Sequence, residues 1–329
     1  MQEARARAWC RVDLAGGTLD IWPLGLLHAG PTVNVAVDVA VRVCLRRRDS
    51  GWSLRQGETR HEAGRPQELL ADPATALVGE VIGALALPPV DVDLESDSPR
   101  GGGLGASSAL TVALLAAGRR LLGLAEAPPR ELAATARDLE ARLMRLPTGT
   151  QDHYPALLGG VLVLEHLPGG ERVRRLDLDL DRLGEALLVV YSGVSHFSAA
   201  NNWQVIRGRL DGDPGITARF DAIAEVARSL VGALEAGDLE AAGRLLSAEW
   251  DERRNLAPEV SNETVERLLS AATEAGAWGA KACGAGGGGC LAVLVEPRRR
   301  RAVAEALAAA GGTLLPCRPV ASPLFVEST

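Results

Sequence analysis

A glycine-rich loop is the part of this sequence most suited to chemistry. It comprises Pro99, Gly101, Gly102, Gly103, Leu104, Gly105, Ala106, Ser107 and Ser108. Apolar and acidic residues alternate over 90–95, which is typical of a half-buried strand, and the apolar run over 110–122 is typical of a helix. Glycine lets backbone N–H groups converge, and a helix N-terminus adds roughly half a positive charge. The pattern predicts a seat for an anion, and a phosphate is the simplest choice.

Three kinds of phosphate loop combine a strand, a glycine loop and a helix. A P-loop requires a lysine before its hydroxyl residue, whereas Gly105 is followed by Ala-Ser-Ser. A dinucleotide fold requires a second strand that ends in an acid, whereas Pro128 and another helical stretch follow. The remaining hypothesis is a different loop, in which Ser107 or Ser108 caps the helix and also reaches a metal ion. The alternative is a capped loop that binds nothing.

A second glycine loop, 284–289, precedes a predicted strand near the C-terminal end. It matches G-x-G-x-x-G, but no βαβ unit follows, so tight packing between two domains is the alternative explanation. Lys281 stands just before this loop and is the only lysine among 35 basic residues.

Two carboxylates are candidates for the chemistry. Glu140 borders the apolar stripe of a predicted helix over 128–145, and Asp152 lies in a turn rich in glycine and threonine. Phosphoryl transfer needs a divalent cation held by few protein ligands, and a group that orients or deprotonates the attacking hydroxyl. Glu140 suits the first role and Asp152 the second. Taken singly, each would also fit a surface carboxylate or a helix cap.

Composition narrows the class of protein. The chain has 329 residues, 47% of them hydrophobic, which is enough for two domains, and a net charge of −7 argues against a nucleic-acid-binding surface. No secretory signal or membrane-spanning stretch is expected, so the predicted location is the cytoplasm, without a membrane partner. Five scattered cysteines fit a reducing compartment.

Hydrophobic periodicity predicts the elements that position these residues. Strands are predicted from residue 11 and over 33–43, 90–95, 161–164 and 186–191, with a hairpin over 45–65. Helices are predicted over 72–87, 110–122, 128–145, 197–210, 215–235, 238–256, 262–275 and 300–310. Strands near 313–318 and 323–327 end the chain. The second half is predicted to form a separate α+β domain.

Three motifs together resemble the GHMP kinases, the superfamily of galactokinase, homoserine kinase, mevalonate kinase and phosphomevalonate kinase. The central motif Pro-x-x-x-Gly-Leu-Gly-Ser-Ser-Ala resembles residues 99–109, and Lys-x-x-Gly-Ala-Gly-x-Gly-Gly is similar to residues 281–289. The opening motif, an arginine and an aspartate nine residues apart, is matched by Arg11 and Asp20. The resemblance implies a two-domain α+β fold: a ribosomal protein S5 domain 2-like ATP-binding domain over 1–183 and a ferredoxin-like domain over 184–329.

The resemblance also implies roles for particular residues. Asp152 would be catalytic and Arg11 would face it and keep it ionised. The loop from Pro99 to Ser108 would hold ATP, and Ser107 with Glu140 would hold Mg²⁺. Substrate contacts would come from Asp20, Thr18, His153, Gly286 and Gly287.

Two departures from the family pattern affect these assignments. Ala106 replaces the first serine of the central motif. Position 13 is Asp, where mevalonate kinases carry a lysine, which argues against a mevalonate substrate. Stretches 15–20, 149–154 and 191–198 look most like the branch that contains D-glycero-D-manno-heptose 7-phosphate kinase and the sugar-1-kinases. In that branch a basic residue often stands near the position of His196. Whether the substrate already carries a phosphate is therefore left open.

The resemblance predicts a kinase that transfers the γ-phosphate of ATP to a hydroxyl of a sugar or sugar phosphate. The alternatives are a mevalonate-pathway kinase, a diphosphate decarboxylase on the same fold, and a non-catalytic nucleotide- or sugar-binding protein. The predicted partners are ATP and the small-molecule substrate, without nucleic acid. The sequence leaves the oligomeric state open, with a homodimer as the expected candidate.

Overall fold

The computed structural model describes residues 2–195 and 199–329, with the backbone alone described for 199–202. The strands are β1 (Glu3–Ala15), β2 (Thr32–Arg47), β3 (Trp52–Gln56), β4 (Thr59–Ala63), β5 (Val90–Ser96), β6 (Val161–Leu167), β7 (Gly170–Arg175), β8 (Leu187–Tyr191), β9 (Gly279–Ala282), β10 (Cys290–Leu294), β11 (Thr313–Leu315) and β12 (Phe325–Ser328). The helices are α1 (Leu24–His28), α2 (Pro66–Leu70), α3 (Ala76–Leu85), α4 (Ala106–Leu121), α5 (Pro129–Met144), α6 (His153–Leu158), α7 (Leu180–Ala186), α8 (Ala199–Leu210), α9 (Pro214–Glu235), α10 (Leu239–Arg253), α11 (Glu263–Glu274) and α12 (Arg300–Ala309). Short 3₁₀ turns cover Pro258–Val260 and Pro297–Arg299.

An eight-stranded sheet forms the larger layer of the molecule. Its order is β12-β1-β2-β5-β3-β4, with β6 paired to β2 and β7 paired to β6. All pairs are antiparallel except β3 with β5. The strand predicted over 33–43 is confirmed by β2, and the predicted edge hairpin is confirmed by β3 and β4. Long β1 and β2 pair along most of their lengths and form the centre of this sheet.

Helix α4 packs on β1 and β2, and α3 and α5 lie beside it. Most of the side chains of α4 are buried because its apolar residues lie around nearly the whole helix and not along one stripe. The predicted helices over 110–122 and 128–145 are confirmed by α4 and α5. The predicted helix over 72–87 begins at Ala76 in the structure, after a turn in which the Asp72 side chain accepts from the Ala74 N–H. This layer places the start of α4 beside Arg11 of β1.

A second sheet has the order β11-β8-β10-β9 and is antiparallel throughout. In chain order, β8, the helices α8 to α11, β9, β10, α12 and β11 follow the ferredoxin-like β-α-β-β-α-β plan. The predicted helices here are confirmed by α8 to α12, except at 197–198, which lie outside the described residues. The α+β fold class is therefore confirmed.

The chain does not end in the second sheet. After β11 it returns to the first, where β12 pairs with the outer edge of β1 from Ala4 to Arg7. The larger sheet thus combines both ends of the sequence, and the domain boundary at 183/184 stays a prediction. Among the described helices, none is both long and apolar enough to cross a membrane.

Candidate active site

Arg11 occupies the centre of the candidate site, on β1. Its Nε donates to Asp152 Oδ1 at 2.8 Å, and its Nη2 lies 2.7 Å from the same oxygen. Its Nη1 donates to the carbonyl oxygen of Gly103. The Arg11 side chain is only 3% exposed, whereas that of Asp152 is 26% exposed. Burial opposes the guanidinium charge, but Asp152 and Asp13 outweigh it and raise the pKa of Arg11. The structure therefore brings together the two residues predicted to be catalytic.

The first glycine loop lies directly on this ion pair. The Arg11 backbone N–H donates to the carbonyl of Leu104 at 2.8 Å. Gly105 has φ +70°, and a Cβ there would lie 3.3 Å from both Arg11 Cγ and Asp152 Cβ. Glycine is required here because a side chain would meet the ion pair in a backbone conformation that L residues rarely adopt. Pro99 begins the loop with a tight turn, in which Gly102 N–H donates to its carbonyl.

Helix α4 starts at Ala106 with Gly105 as its N-cap, and no side chain caps it. The prediction that Ser107 or Ser108 caps the helix is therefore wrong, because both residues lie inside the first turn and not before it. Uncapped N–H groups on a 16-residue helix remain available to an anion. The side chain of Ser107 is exposed at this end of the helix.

Glu140 lies inside the protein below the α4 terminus. Ser108 donates to its Oε2 at 3.0 Å and Thr111 donates to its Oε1 at 2.8 Å. His153 Nε2 lies 3.4 Å from Oε2, without hydrogen-bond geometry. Burial alone would raise the pKa of Glu140, but the charge of His153 and these hydrogen bonds hold it below the usual value. Sequence reasoning missed the partnership of Glu140 with Ser108, Thr111 and His153.

His153 is completely buried, and burial favours its neutral form. The neighbouring Glu140 carboxylate more than compensates and raises the pKa of His153. This placement directs His153 towards Glu140 and away from the surface of the site. Its predicted contact with substrate hydroxyls gains no support from this geometry.

A magnesium ion is the metal that the resemblance implies, and the donor set is suited to it. Glu140 is a charged carboxylate, and each of its oxygens keeps a second lone pair. Ser107 adds an exposed hydroxyl one residue from Ser108. No group of three or more His, Cys, Asp or Glu residues that could hold a metal occurs in the part of the chain that the structure describes. A carboxylate and a hydroxyl, with phosphate oxygens completing the shell, would match the usual habit of Mg²⁺.

Asp20 lies in the connection between β1 and α1 and contacts the turn that contains Asp152. Its Oδ2 accepts from the Gln151 N–H at 3.0 Å, and a Cβ on Gly149 would overlap the same carboxylate oxygen. Burial raises the pKa of Asp20 to about 7, against the hydrogen bond from Gln151. The charge of Asp152 adds to the rise. The structure thus brings Asp20 together with the Asp152 turn.

Thr18, the other predicted substrate residue of this connection, has a different partner. It is buried, and its hydroxyl accepts from Arg253 Nη1 at 3.2 Å. Neither Arg253 nor its buried partner Glu249 was predicted from the sequence. Their only sequence signal is an i, i+4 acid–arginine pair on one helix face.

The second glycine loop packs against the first. A Cβ on Gly103 would lie 2.8 Å from the carbonyl oxygen of Cys283, and Cys290 N–H donates to the Gly102 carbonyl at 2.8 Å. The prediction that this loop closes the site from the C-terminal side agrees with these contacts. They also agree with tight packing between domains, the alternative explanation.

Gly286 and Gly287 face a neighbouring turn. A Cβ on Gly286 would overlap the Val260 carbonyl, and Gly287 N–H donates to that carbonyl at 2.6 Å. Asn262 donates to the Gly287 carbonyl at 2.9 Å. Their predicted substrate contacts stay a prediction. His196 lies outside the described residues.

Comparisons with known proteins match both halves of the chain. The model described as GHMP kinases N terminal domain matches residues 71–160, and the one described as GHMP kinases C terminal matches residues 230–313. A D-glycero-alpha-D-manno-heptose 7-phosphate kinase of Campylobacter jejuni is 26% identical over 322 residues, 93% of this chain and 94% of the relative. A mevalonate kinase of Pyrococcus horikoshii is 31% identical over 258 residues, 72% of this chain and 69% of the relative.

Solved structures share the fold at lower identity. A D-glycero-D-manno-heptose 1-phosphate kinase from Bacteroides thetaiotaomicron superimposes with a TM-score of 0.79 at 22% identity, over 99% of both chains. Lactococcus lactis galactokinase complexed with galactose superimposes with a TM-score of 0.78 at 16% identity, over 98% of this chain and 95% of the other.

The contact between Gly149 and Asp20 predicts a specific steric coupling. Gly149→Ala should lower the melting temperature, by an amount that corresponds to about 1–3 kcal/mol of overpacking. In an Asp20→Ala background the same change should cost clearly less, because the overlapping carboxylate is gone. Gly232→Ala is the matched control, since nothing lies near its added methyl group. Equal destabilisation in both backgrounds would show that the overlap with Asp20 is not the cause.

The raised pKa of Asp20 predicts a pH dependence of stability. Between pH about 4 and 7 the folded state keeps a proton that the unfolded state has released, so stability falls as pH rises through this window. Asp20→Asn cannot ionise and should avoid this loss. The melting temperature of Asp20→Asn minus that of wild type should be about 2–4 °C larger at pH 8 than at pH 5. Asp138→Asn, at an exposed carboxylate, should show no such change. A pH-independent difference for Asp20→Asn would contradict the assignment.

Proposed function

This chain belongs to the GHMP kinases, and we propose that the hydroxyl it phosphorylates belongs to a sugar or a sugar phosphate. GHMP kinases use ATP as the phosphate donor, and the heptose phosphate and mevalonate kinases among them transfer the phosphate to a hydroxyl. The observation that carries the acceptor class is the match along nearly the whole chain to a relative named as a heptose 7-phosphate kinase. That match covers 93% of this chain and so extends into both sheets.

The geometry supports a role for Asp152 at the attacking hydroxyl. Its carboxylate is partly exposed, while Arg11 holds one oxygen through two nitrogens. Such a carboxylate is oriented and still accessible, as a group that positions a hydroxyl or takes its proton must be. The buried guanidinium of Arg11 also places fixed positive charge beside the glycine loop, where charge on a transferring phosphoryl group would be stabilised.

The first glycine loop and the start of α4 would hold the phosphates of ATP. The residues concerned are Pro99, Gly101, Gly102, Gly103, Leu104, Gly105, Ala106, Ser107 and Ser108. Ser107 and Glu140 would hold Mg²⁺, which when bound neutralises charge on the phosphate oxygens. Ser108, Thr111 and His153 keep the Glu140 carboxylate charged and in one orientation.

Asp20 would recognise the acceptor. Its carboxylate borders the Asp152 turn through Gln151, so it can accept a hydrogen bond from a second hydroxyl of the same molecule. A sugar carries neighbouring hydroxyls that could meet Asp152 and Asp20 together. Thr18 contributes through the shape of its loop, because its own hydroxyl is engaged by Arg253.

A mevalonate kinase activity is the second candidate. The observation that favours it is the 31% identity to the archaeal mevalonate kinases, higher than the 26% to the heptose 7-phosphate kinase. That identity covers about 70% of this chain, whereas the heptose kinase match covers 93%. Asp13 also stands where mevalonate kinases carry a lysine. We therefore favour the sugar or sugar phosphate.

The test is ADP release with ATP and Mg²⁺ across a panel of sugars, sugar phosphates and mevalonate. Wild type should depend on a sugar or sugar phosphate, and Asp152→Ala should lower kcat about 10²- to 10⁴-fold. Asp138→Ala, at an exposed carboxylate on α5, should leave kcat within about twofold.

Two outcomes would overturn parts of this proposal. Turnover with mevalonate alone would replace the acceptor class with the second candidate. Full turnover by Asp152→Ala would remove Asp152 from the mechanism.

A further inference from the structure

Four ionisable side chains form a buried chain of charges outside the Arg11–Asp152 pair. They are Asp13 on β1, Glu249 and Arg253 on α10, and Lys281 on β9, and each is at most 2% exposed. Lys281 Nζ lies 3.1 Å from Asp13 Oδ2 and 3.1 Å from Glu249 Oε2. Arg253 Nε donates to Glu249 Oε1 at 2.8 Å. Two acids and two bases alternate, so every buried charge has an opposite neighbour.

This chain of charges connects the two sheets. Asp13 lies two residues after Arg11 in the larger sheet, while Lys281 lies in the second sheet and α10 packs beside it. Glu249 is charged because Arg253 and Lys281 lower its pKa despite burial. Burial disfavours the charge of Arg253, but Glu249 and Asp13 outweigh this effect and raise its pKa. The single lysine of the sequence is thus used between two carboxylates at this junction.

Arg253 is the last member of this chain of charges, and its guanidinium contacts one loop at Gly17 and Thr18. Its Nη2 donates to the Gly17 carbonyl at 2.7 Å, and its Nη1 donates to Thr18 Oγ1 at 3.2 Å. We name residues 16–20 the acceptor loop, because it ends at Asp20. The guanidinium therefore uses one side for Glu249 and the other for this loop.

The acceptor loop needs such a restraint. Thr18 has φ +72°, a left-handed conformation that is costly for a β-branched residue and persists only where surrounding contacts enforce it. Gly17 leaves no space for a side chain, because a Cβ there would lie 2.8 Å from Asp13 Oδ2 and 3.2 Å from Arg253 Nη2. The loop is thus pressed onto the charges, and two hydrogen bonds hold it there.

We propose that Arg253 is a positioning residue that holds the acceptor loop in its strained conformation, so that Asp20 faces the acceptor. The kinetic part of this inference rests on the proposed function, whereas the restraint on the loop does not. Lysine cannot replace Arg253, because one ammonium group cannot contact Glu249 and the loop in the planar arrangement that a guanidinium provides. Helix α10, which packs beside the second sheet, thereby contributes to acceptor binding without touching the acceptor.

The test compares Arg253→Lys with Arg254→Lys, the same substitution one residue away. Arg254 is exposed and pairs with Asp251 and Glu266, so its change should have no effect. Amide hydrogen exchange of residues 16–20 should become about 10-fold faster in Arg253→Lys, with residues 101–105 unchanged. In kinetics, KM for the acceptor should rise about 10- to 100-fold, while KM for ATP stays within about twofold.

Gly17→Ala provides a second variant that leaves every charge in place. Its methyl group would push the loop from Asp13 and Arg253, and it should produce the same changes in exchange and in acceptor KM. If Arg253→Lys does not fold, Gly17→Ala alone tests whether the contact with Arg253 restrains the acceptor loop.

Three results would overturn the proposal: unchanged exchange of the acceptor loop, equal acceleration in residues 101–105, or an equal rise in both KM values. If wild type shows no acceptor-dependent ADP release, the proposed function fails. The exchange experiment still decides the role of Arg253, since it needs no substrate.

Discussion

The site depends on the burial of one positive charge, the guanidinium of Arg11. A buried charge without partners is strongly unfavourable, so the segments that supply partners must stay close to it. Those partners are Asp152 and the Gly103 carbonyl, which come from segments far apart in the chain. The Arg11 side chain therefore sets the position of the first glycine loop and of the turn before α6, which carries the Asp152 carboxylate. Arg11 itself is placed by the long pairing of β1 with β2.

Two glycines of the first loop allow other segments to pack closely around the Arg11 guanidinium. At Gly105 the absent side chain leaves space for Arg11 and Asp152, and at Gly103 it leaves space for the loop that follows β9. The loop that we propose binds phosphate and the contact between the two sheets consequently share one set of residues. Asp13 extends this arrangement towards Lys281 on the side of the second sheet. A short part of β1 thus connects to the glycine loops, the turn that contains Asp152 and the acceptor loop.

Local patterns were sufficient to predict most of the fold and to select Arg11 and Asp152, which the structure brings together. The valines of β2 and the helices α4, α5 and α9 to α11 have strong periodicity, and the motifs around Arg11, Ser107 and Asp152 are contiguous in sequence. Pairing between distant segments could not be predicted in this way. The return of β12 to β1, the pairing of Glu140 with His153, and the neutralisation of Lys281 by two acids depend on tertiary contacts, and no local pattern encodes them. The helix cap was misplaced because Gly105 in a left-handed conformation ends the loop two residues before Ser107 and three before Ser108.

The central claim is that Arg11 and Asp152 act as one unit in phosphoryl transfer. A double-mutant cycle on kcat, with Arg11→Met, Asp152→Asn and the double variant, tests it most directly. The account predicts that each single change lowers kcat about 10²- to 10⁴-fold and that the double variant is no slower than the slower single variant. Losses that multiply in the double variant, with all variants folded, would show that the two residues act independently and would contradict the account.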